Sequence, residues 1–254
     1  MDQSLISPSE VFTRSWHEGK KYLGTDIKEA LGFVGIALLS FTLAVISFYV
    51  PDSLRLALRV VDVVLLQIIA TTWITLRLTA TVLAERQGKK RSPLSVSALG
   101  SFLLISILSG LAAAGGALVF VLPGIWLTGA LAFAGYSFLD EGRTGRQALA
   151  RSAQLVSGRW WSMVARIILP GFLILVLSLI ASSIIEVLVG IIAGYRPSAL
   201  AGQLGFSSWT VIGPASTQIA ATALQVINAL PLLVAMPLLT HLMVTVYLEL
   251  KRTR

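Results

Sequence analysis

Cysteine is absent from this sequence of 254 residues, and histidine occurs only twice. Without thiols the chain can form no disulfide, offer no thiol nucleophile and ligate no metal through sulfur. His17 and His241 lie far apart along the chain, which argues against a metal site built on histidines. We therefore expect no bound metal and no cofactor.

Charge is also scarce, because only 13% of the residues are Asp, Glu, Lys or Arg, whereas 56% are hydrophobic. The mean hydropathy is +0.83. A water-soluble fold could not bury so much apolar surface, so the composition predicts an integral membrane protein. It excludes disordered chains and disulfide scaffolds, and the net charge of +8 does not by itself indicate a nucleic-acid partner.

Uncharged stretches long enough to cross a bilayer predict six transmembrane helices in one all-α membrane domain over 1–254. Glu29 and Asp52 bound the first stretch, and Leu122-Pro123-Gly124 divides the longest one, as a turn between two helices requires. The fourth span is short, and prolines are expected to kink the sixth. The predicted spans lie at about 30–51, 57–84, 97–121, 125–139, 162–193 and 215–248.

The basic residues predict how the chain is oriented in the membrane. Fifteen Lys and Arg side chains fall in the two terminal segments and in the loops after spans 2 and 4, against three in the opposite loops. Cytoplasmic loops carry such an excess. We expect a multi-pass protein of the inner (plasma) membrane with both termini in the cytoplasm, and this asymmetry accounts for the positive net charge without nucleic acid.

Two amphipathic helices are predicted on the cytoplasmic face, over 8–22 and 145–157. Ser7 with Glu10, and Thr144 with Gln147, have the spacing of helix capping boxes. Such helices lie on the membrane surface or pack beneath the bundle, and the sequence supports both interpretations. We expect basic and aromatic residues of the second helix and its end to contact anionic headgroups or a protein partner; they are Arg146, Arg151, Arg159, Trp160 and Trp161.

Two short matches indicate a degenerate parallel repeat. Val11-Phe12-x-Arg14-Ser15 aligns with Ala148-Leu149-x-Arg151-Ser152 in the two amphipathic helices. Arg77-Leu78-x-x-Thr81-Val82-x-x-Glu85 aligns with His241-Leu242-x-x-Thr245-Val246-x-x-Glu249 at the ends of spans 2 and 6. Each repeat would comprise one amphipathic helix and two spans, with spans 3 and 4 inserted between them. Parallel repeats occur in transporters, and also where duplication has only enlarged a bundle.

A series of motifs around the fourth span carries a family resemblance. In order they are Val121-Leu122-Pro123-Gly124-Ile125-Trp126, Phe133-Ala134, Leu139-Asp140-Glu141-Gly142, Ala148-Leu149-x-Arg151-Ser152 and Gly158-Arg159-Trp160-Trp161. Together with the Ser9–Trp16 start, they resemble a bacterial multi-pass family, largely of unknown function, that includes the membrane domain of some glycerophosphodiester phosphodiesterases. The resemblance implies a six-span layout. It implies no phosphodiesterase activity, because that chemistry belongs to a separate soluble domain for which this chain has no room.

Polar residues within the predicted spans are candidates for function, because burying them in lipid is costly. They are Asp62, Arg77, Glu186, Gln225, Asn228 and His241. Each also has a structural interpretation as a hydrated, snorkelling or interhelical hydrogen-bonding group. No phosphate loop, nucleophile elbow or supported carboxylate pair is evident in the sequence, so we assign no catalytic residue.

Three functional hypotheses follow. The first is a non-enzymatic membrane protein that contacts lipid headgroups or a membrane or cytoplasmic partner. The alternative is a transporter or exporter of small molecules or lipids, with a path between the repeated helix pairs. A membrane enzyme acting on lipid is the third, and the missing catalytic set disfavours it. The sequence does not indicate an oligomeric state.

Overall fold

The computed structural model describes residues 6–47, 49–89, 93–192 and 230–253, and throughout these ranges the regular structure is helical, without a strand. Five of the described helices are long and apolar enough to cross a membrane: Pro8–Ser47, Val96–Leu118, Val121–Glu141, Trp160–Ile185 and Leu233–Arg252. The chain is thus an all-α protein whose apolar helices are those of a multi-pass membrane protein.

Nine α-helices and one π-helical segment make up the described part of the chain. In order they are α1 (Pro8–Ser47), α2 (Asp52–Val61), the π-helical segment (Asp62–Ala70), α3 (Thr71–Gln87), α4 (Val96–Val119), α5 (Val121–Leu131), α6 (Ala134–Glu141), α7 (Gly145–Val156), α8 (Trp160–Ile192) and α9 (Leu232–Arg252). The amphipathic helix predicted over 145–157 lies at α7. The predicted sixth span over 215–248 is described only from residue 230.

Helix α1 joins two elements that the sequence analysis separates. It runs without interruption for 40 residues, so the amphipathic helix predicted over 8–22 and the span predicted over 30–51 are parts of one helix. No proline lies between them to end it. At its start, the hydroxyl of Ser7 accepts a hydrogen bond from the amide of Glu10 at 3.2 Å, which is half of the predicted capping box.

The region of the predicted second span, 57–84, is helical but divided. The π-helical segment separates α2 from α3, so none of the three pieces has the length of the five apolar helices. Where the π segment passes into α3, the hydroxyl of Thr71 donates to the carbonyl of Gln67, and that of Thr72 donates to Ile68 O at 2.6 Å. Hydroxyl groups that bond to the preceding turn compete with regular backbone bonding and bend helices.

The structure has a break between two helices close to the one predicted at Leu122-Pro123-Gly124, but slightly earlier, at Phe120. Phe120 has an extended backbone between α4 and α5, and Pro123 falls in the first turn of α5, where its missing amide would have no intrahelical acceptor. A Cβ added to Gly124 would lie 2.8 Å from Ala117 Cα, so small residues allow α4 and α5 to pack closely. The predicted fourth span, 125–139, is divided between α5 and α6.

The chain forms two compact units, and several helices contribute to both. The first unit comprises Met1–Asp26, Thr75–Leu173 and Pro237–Arg254. Its described core contains large side chains that are fully buried and come from α3, α7, α8, α9 and the link between α5 and α6; examples are Leu76, Phe133, Leu155, Met163, Tyr247 and Leu250.

The second unit comprises Ile27–Ile74 and Ile174–Met236. Few of its described apolar residues are buried, among them Ile36 and Ile174. Most of its long apolar side chains, such as Leu38, Leu65 and Leu177, are exposed. Helices that are apolar on all sides are typical of protein in contact with lipid.

Candidate functional site

Three helices of the first unit bring ionisable side chains together in its interior. Asp26 comes from α1, Glu85 from the end of α3, and His241 from α9. One potential ligand atom from each of these residues lies within 4.8 Å of those of the other two. Among the described residues this is the group of three whose oxygen and nitrogen atoms are placed to hold one metal ion.

Close packing of α1 against α9 makes this approach possible. A Cβ added to Gly19 would lie 2.7 Å from Leu238 Cδ2, so a larger residue there would displace the side chain of Leu238. One turn earlier, the hydroxyl of Ser15 donates to Thr245 Oγ1 at 3.3 Å. The ring of Tyr22 stacks on His241 with centroids 6.3 Å apart. These contacts hold the imidazole of His241 beside the carboxylate of Asp26.

A hydrogen bond joins two members of the site. Nε2 of His241 and Oδ2 of Asp26 share a hydrogen bond of 2.9 Å, and both side chains are 0% exposed. The opposite atoms, Oδ1 of Asp26 and Nδ1 of His241, have no hydrogen-bond partner among the described residues, and neither does the buried Oε2 of Glu85. Buried polar atoms without partners are costly, and native structures contain few of them.

The electrostatics of Glu85 follow from this arrangement. Glu85 lies one residue beyond the predicted span over 57–84. Burial raises its pKa to about 7, and the nearby carboxylate of Asp26 adds to the effect. The next residue, Arg86, approaches Glu18 at 3.6 Å, and its pKa is lowered mainly by burial. The site therefore places two carboxyl groups close together in the protein interior, where ionising both is unfavourable.

A second polar cluster of the first unit is internally paired. Asp140 Oδ2 accepts hydrogen bonds from Lys251 Nζ at 2.6 Å and from the hydroxyl of Tyr247 at 2.9 Å. Glu141 forms ion pairs with Arg151 at 3.0 Å and with Arg143 at 2.7 Å. Helix α6 ends beside this cluster because Gly142 adopts a left-handed backbone with φ of 67°. Both carboxylates are paired with basic side chains, so we assign the cluster a structural role that joins α6, α7 and α9.

The structure divides the residues predicted to contact lipid or a partner. Arg146 is exposed, and Trp161 is 79% exposed. The other three are partly exposed and also make contacts within the protein, so their predicted contact with headgroups stays a prediction. Arg151 pairs with Glu141, the guanidinium of Arg159 donates to Thr253 Oγ1, and Trp160 Nε1 donates to the carbonyl of Trp126.

The structure describes the side chains of only some of the predicted intramembrane polar residues. Asp62 accepts a hydrogen bond from Ser40 at 2.6 Å in the second unit. Arg77 is half-buried in α3 of the first unit. Glu186 lies in α8, but its side chain is not among those described. Gln225 and Asn228 lie outside the described residues.

Of that set, His241 alone belongs to the three-residue site, and sequence reasoning missed its two partners. Asp26 falls between the predicted amphipathic helix and the first span, and Glu85 falls just after the second span. A signal for Asp26 exists: Val11, Ser15, Gly19 and Ala30 share its side of α1 at intervals of four or seven residues and are all buried. On a continuous helix this spacing places the carboxylate on the inward face.

Comparison with known proteins adds no relative. No family model, curated protein or solved structure matches the chain. The membrane-domain resemblance described above therefore stays a prediction, and the functional proposals below depend on the chain's own residues.

Proposed function

We propose that this chain is a non-enzymatic multi-pass protein of the bacterial inner membrane, with both termini in the cytoplasm, that binds anionic lipid headgroups through basic faces of its first unit. The observation that carries the proposal is the exposed side of the first part of α1. There Lys20 Nζ lies 5.0 Å from the ring centroid of Trp16, and Lys21 Nζ lies 4.9 Å from that of Tyr22.

The arrangement of this face fits a membrane surface. Val11, Ser15 and Gly19 are buried on one side of α1, while Trp16, Lys20 and Lys21 are exposed. Tryptophan is enriched at headgroup depth, and each lysine near an anionic leaflet contributes about 1 kcal/mol of attraction. Helix α7 adds a second such face with Arg146, which lies opposite its buried Ala148 and Leu155.

Shared environments support the proposed repeat. Ser15 and Ser152 are both buried, as are Val11 and Ala148. Arg14 and Arg151 both form ion pairs with glutamates, namely Glu249 and Glu141. In addition, Thr81 and Thr245 each donate to the carbonyl four residues earlier, at 2.9 and 2.8 Å.

The six-span topology is part of the same proposal, with the second crossing over 57–84, in the divided helical region. Arg59, which is exposed in α2, would then lie on the periplasmic side and Lys251 on the cytoplasmic side. Reporter fusions after Arg59 and after Arg254 should report opposite compartments. A periplasmic C-terminal reporter would contradict the topology.

Spin-labelled lipids test headgroup binding directly. The full chain is reconstituted in phosphatidylcholine membranes, and electron paramagnetic resonance measures its selectivity for labelled phosphatidylglycerol over labelled phosphatidylcholine. We expect a clear preference for phosphatidylglycerol that falls as salt is raised and falls at least twofold in K20Q/K21Q. The K20R/K21R variant keeps the charge and should keep the preference. Equal selectivity in the wild type and K20Q/K21Q would refute the proposal for this face.

A further inference from the structure

We infer that Asp26, Glu85 and His241 form a binding site for one divalent transition-metal ion of the zinc class. The site lies within the first unit and is independent of headgroup binding. It reverses the expectation from the sequence that no metal is bound, which depended on the separation of the two histidines. A single histidine suffices here because two carboxylates from other helices supply the remaining ligands.

The distances are close to those of a metal site. Zinc binds imidazole nitrogen and carboxylate oxygen at about 2.0–2.2 Å, which places two ligands of a tetrahedral ion about 3.4 Å apart. Nε2 of His241 and Oδ2 of Asp26 are already 2.9 Å apart, and all three potential ligand atoms lie within 4.8 Å of one another. To bring the three ligand atoms to metal-binding distances, the side chain of Glu85 would have to move. It can do so because it is long and only half-buried in the last turn of α3.

The chemistry of the ligands selects the class of ion. Magnesium and calcium prefer shells made entirely of oxygen, with at least six ligands. An imidazole together with two carboxylates suits zinc and its first-row neighbours. Three protein ligands would leave a coordination position of zinc for water or another ligand.

The charges around the site favour the binding of an external cation. The nearby basic side chains of the first unit have other partners: Arg14 pairs with Glu10 and Glu249, and Arg86 approaches Glu18. The ion-pair partner described for Asp26 is His241, which is charged only when protonated. The buried atoms without partners, Oδ1 of Asp26 and Oε2 of Glu85, are lone-pair donors that a cation would satisfy.

Direct binding measurements test the site. The full chain is purified in detergent without a polyhistidine tag, stripped with a chelator, and dialysed against micromolar Zn²⁺. We expect one zinc per chain by elemental analysis and a rise in the thermal unfolding midpoint, because an ion that binds only the folded state stabilises it. The same concentration of Mg²⁺ should give neither result. Failure to bind stoichiometric zinc would overturn the inference.

Variants locate the ion. E85Q should weaken zinc binding at least tenfold, as should H241Q, and both should lose the zinc-dependent rise in the unfolding midpoint. The control is H17Q, which removes the other histidine, an exposed residue of α1, and should bind zinc as the wild type does. His241 is fully buried, so H241Q can fail to fold. In that case the zinc affinity of E85Q, which changes a half-buried side chain, decides whether the assignment holds. Unchanged affinity in E85Q would overturn the assignment and leave the three residues as a polar contact only.

Discussion

The two compact units differ in what they bury. Of the ten buried polar residues in the described ranges, nine belong to the first unit, and Ser47 alone belongs to the second. The first unit also contains the paired Asp140–Glu141 cluster and the three-residue site of Asp26, Glu85 and His241. The described part of the second unit instead exposes long apolar side chains. Specific polar interactions organise the first unit, whereas the second has the surface expected of helices in contact with lipid.

This difference explains where functional chemistry is found. A polar group in an apolar interior has to be paired, so each one restricts the positions of its neighbours. Among the described residues of the first unit, three of the buried atoms without a hydrogen-bond partner belong to one site, namely Oδ1 of Asp26, Oε2 of Glu85 and Nδ1 of His241. The described second unit contains fewer such restrictions, although Ser40 links Asp62 and Gln67 by hydrogen bonds of 2.6 and 3.0 Å.

The largest expected effect comes from opening a cavity in the first unit. Leu155 is fully buried in α7, so Leu155→Ala should cost about 2–5 kcal/mol. The matched change in the second unit is Leu177→Ala, where the leucine is 52% exposed and the cost should be within about 0.5 kcal/mol. Thermal unfolding in detergent, followed by tryptophan fluorescence, measures both. Equal losses would contradict the contrast between the units.

Removing one charge from an ion pair should have a smaller effect that still separates the units. Glu141 is 13% exposed and bonds to Arg143 and Arg151, whereas Asp52 is 91% exposed beside Arg55. Glu141→Gln leaves partly buried cations without their partner and should cost about 1–3 kcal/mol. Asp52→Asn should cost about 0.5 kcal/mol or less. The same unfolding assay compares them, and a larger loss for Asp52→Asn would show that burial is not the controlling factor.

The smallest effect concerns pH and the site itself. The folded state holds the pKa of Glu85 at about 7, above its ordinary value of 4.5, so the protonated form is favoured by folding. The stability that this contributes is complete below pH 4.5 and is lost as the pH rises through about 7. In metal-free buffer, the unfolding midpoint of the wild type should therefore fall relative to that of E85Q between pH 5 and 8.

Exposed Glu10 provides the control for this pH dependence, since it lies on the outer side of the same unit. The midpoint of E10Q should follow that of the wild type over the same range. If the difference in unfolding midpoint between the wild type and E85Q stays constant from pH 5 to 8, Glu85 is in contact with water rather than buried in the site.

Individual helices show how much of the fold can be predicted from the sequence. The amphipathic pattern around Ala148, Leu155 and Arg151 locates α7 because period and composition are local properties. The apolar stretches likewise locate α4 and α8. The continuity of α1 is not evident from charge counting, since Lys20, Lys21 and Glu29 suggest a break that the backbone does not make. The π-helical segment at Asp62–Ala70 has no comparable composition signal.

The candidate site was only partly predictable for the same reason. His241 stands out as a polar residue in an apolar stretch, but Asp26 and Glu85 resemble ordinary charges at the ends of spans. Arg151 and Trp160 are predicted to contact headgroups, and only the structure shows that they also bond to Glu141 and to the carbonyl of Trp126. A one-dimensional pattern gives the polarity of a residue, but it does not give its partner.

The sequence by itself determined the class of this protein: an all-helical chain with helices long and apolar enough to cross a membrane, without cysteine chemistry. Apolar length and helical period are properties of contiguous residues, so no fold is needed to recognise them. Only the tertiary structure decided that residues 26, 85 and 241 meet, because their proximity depends on how closely three helices pack. Gly19 permits that packing because it has no side chain. The close packing in turn allows the hydrogen bond between His241 and Asp26.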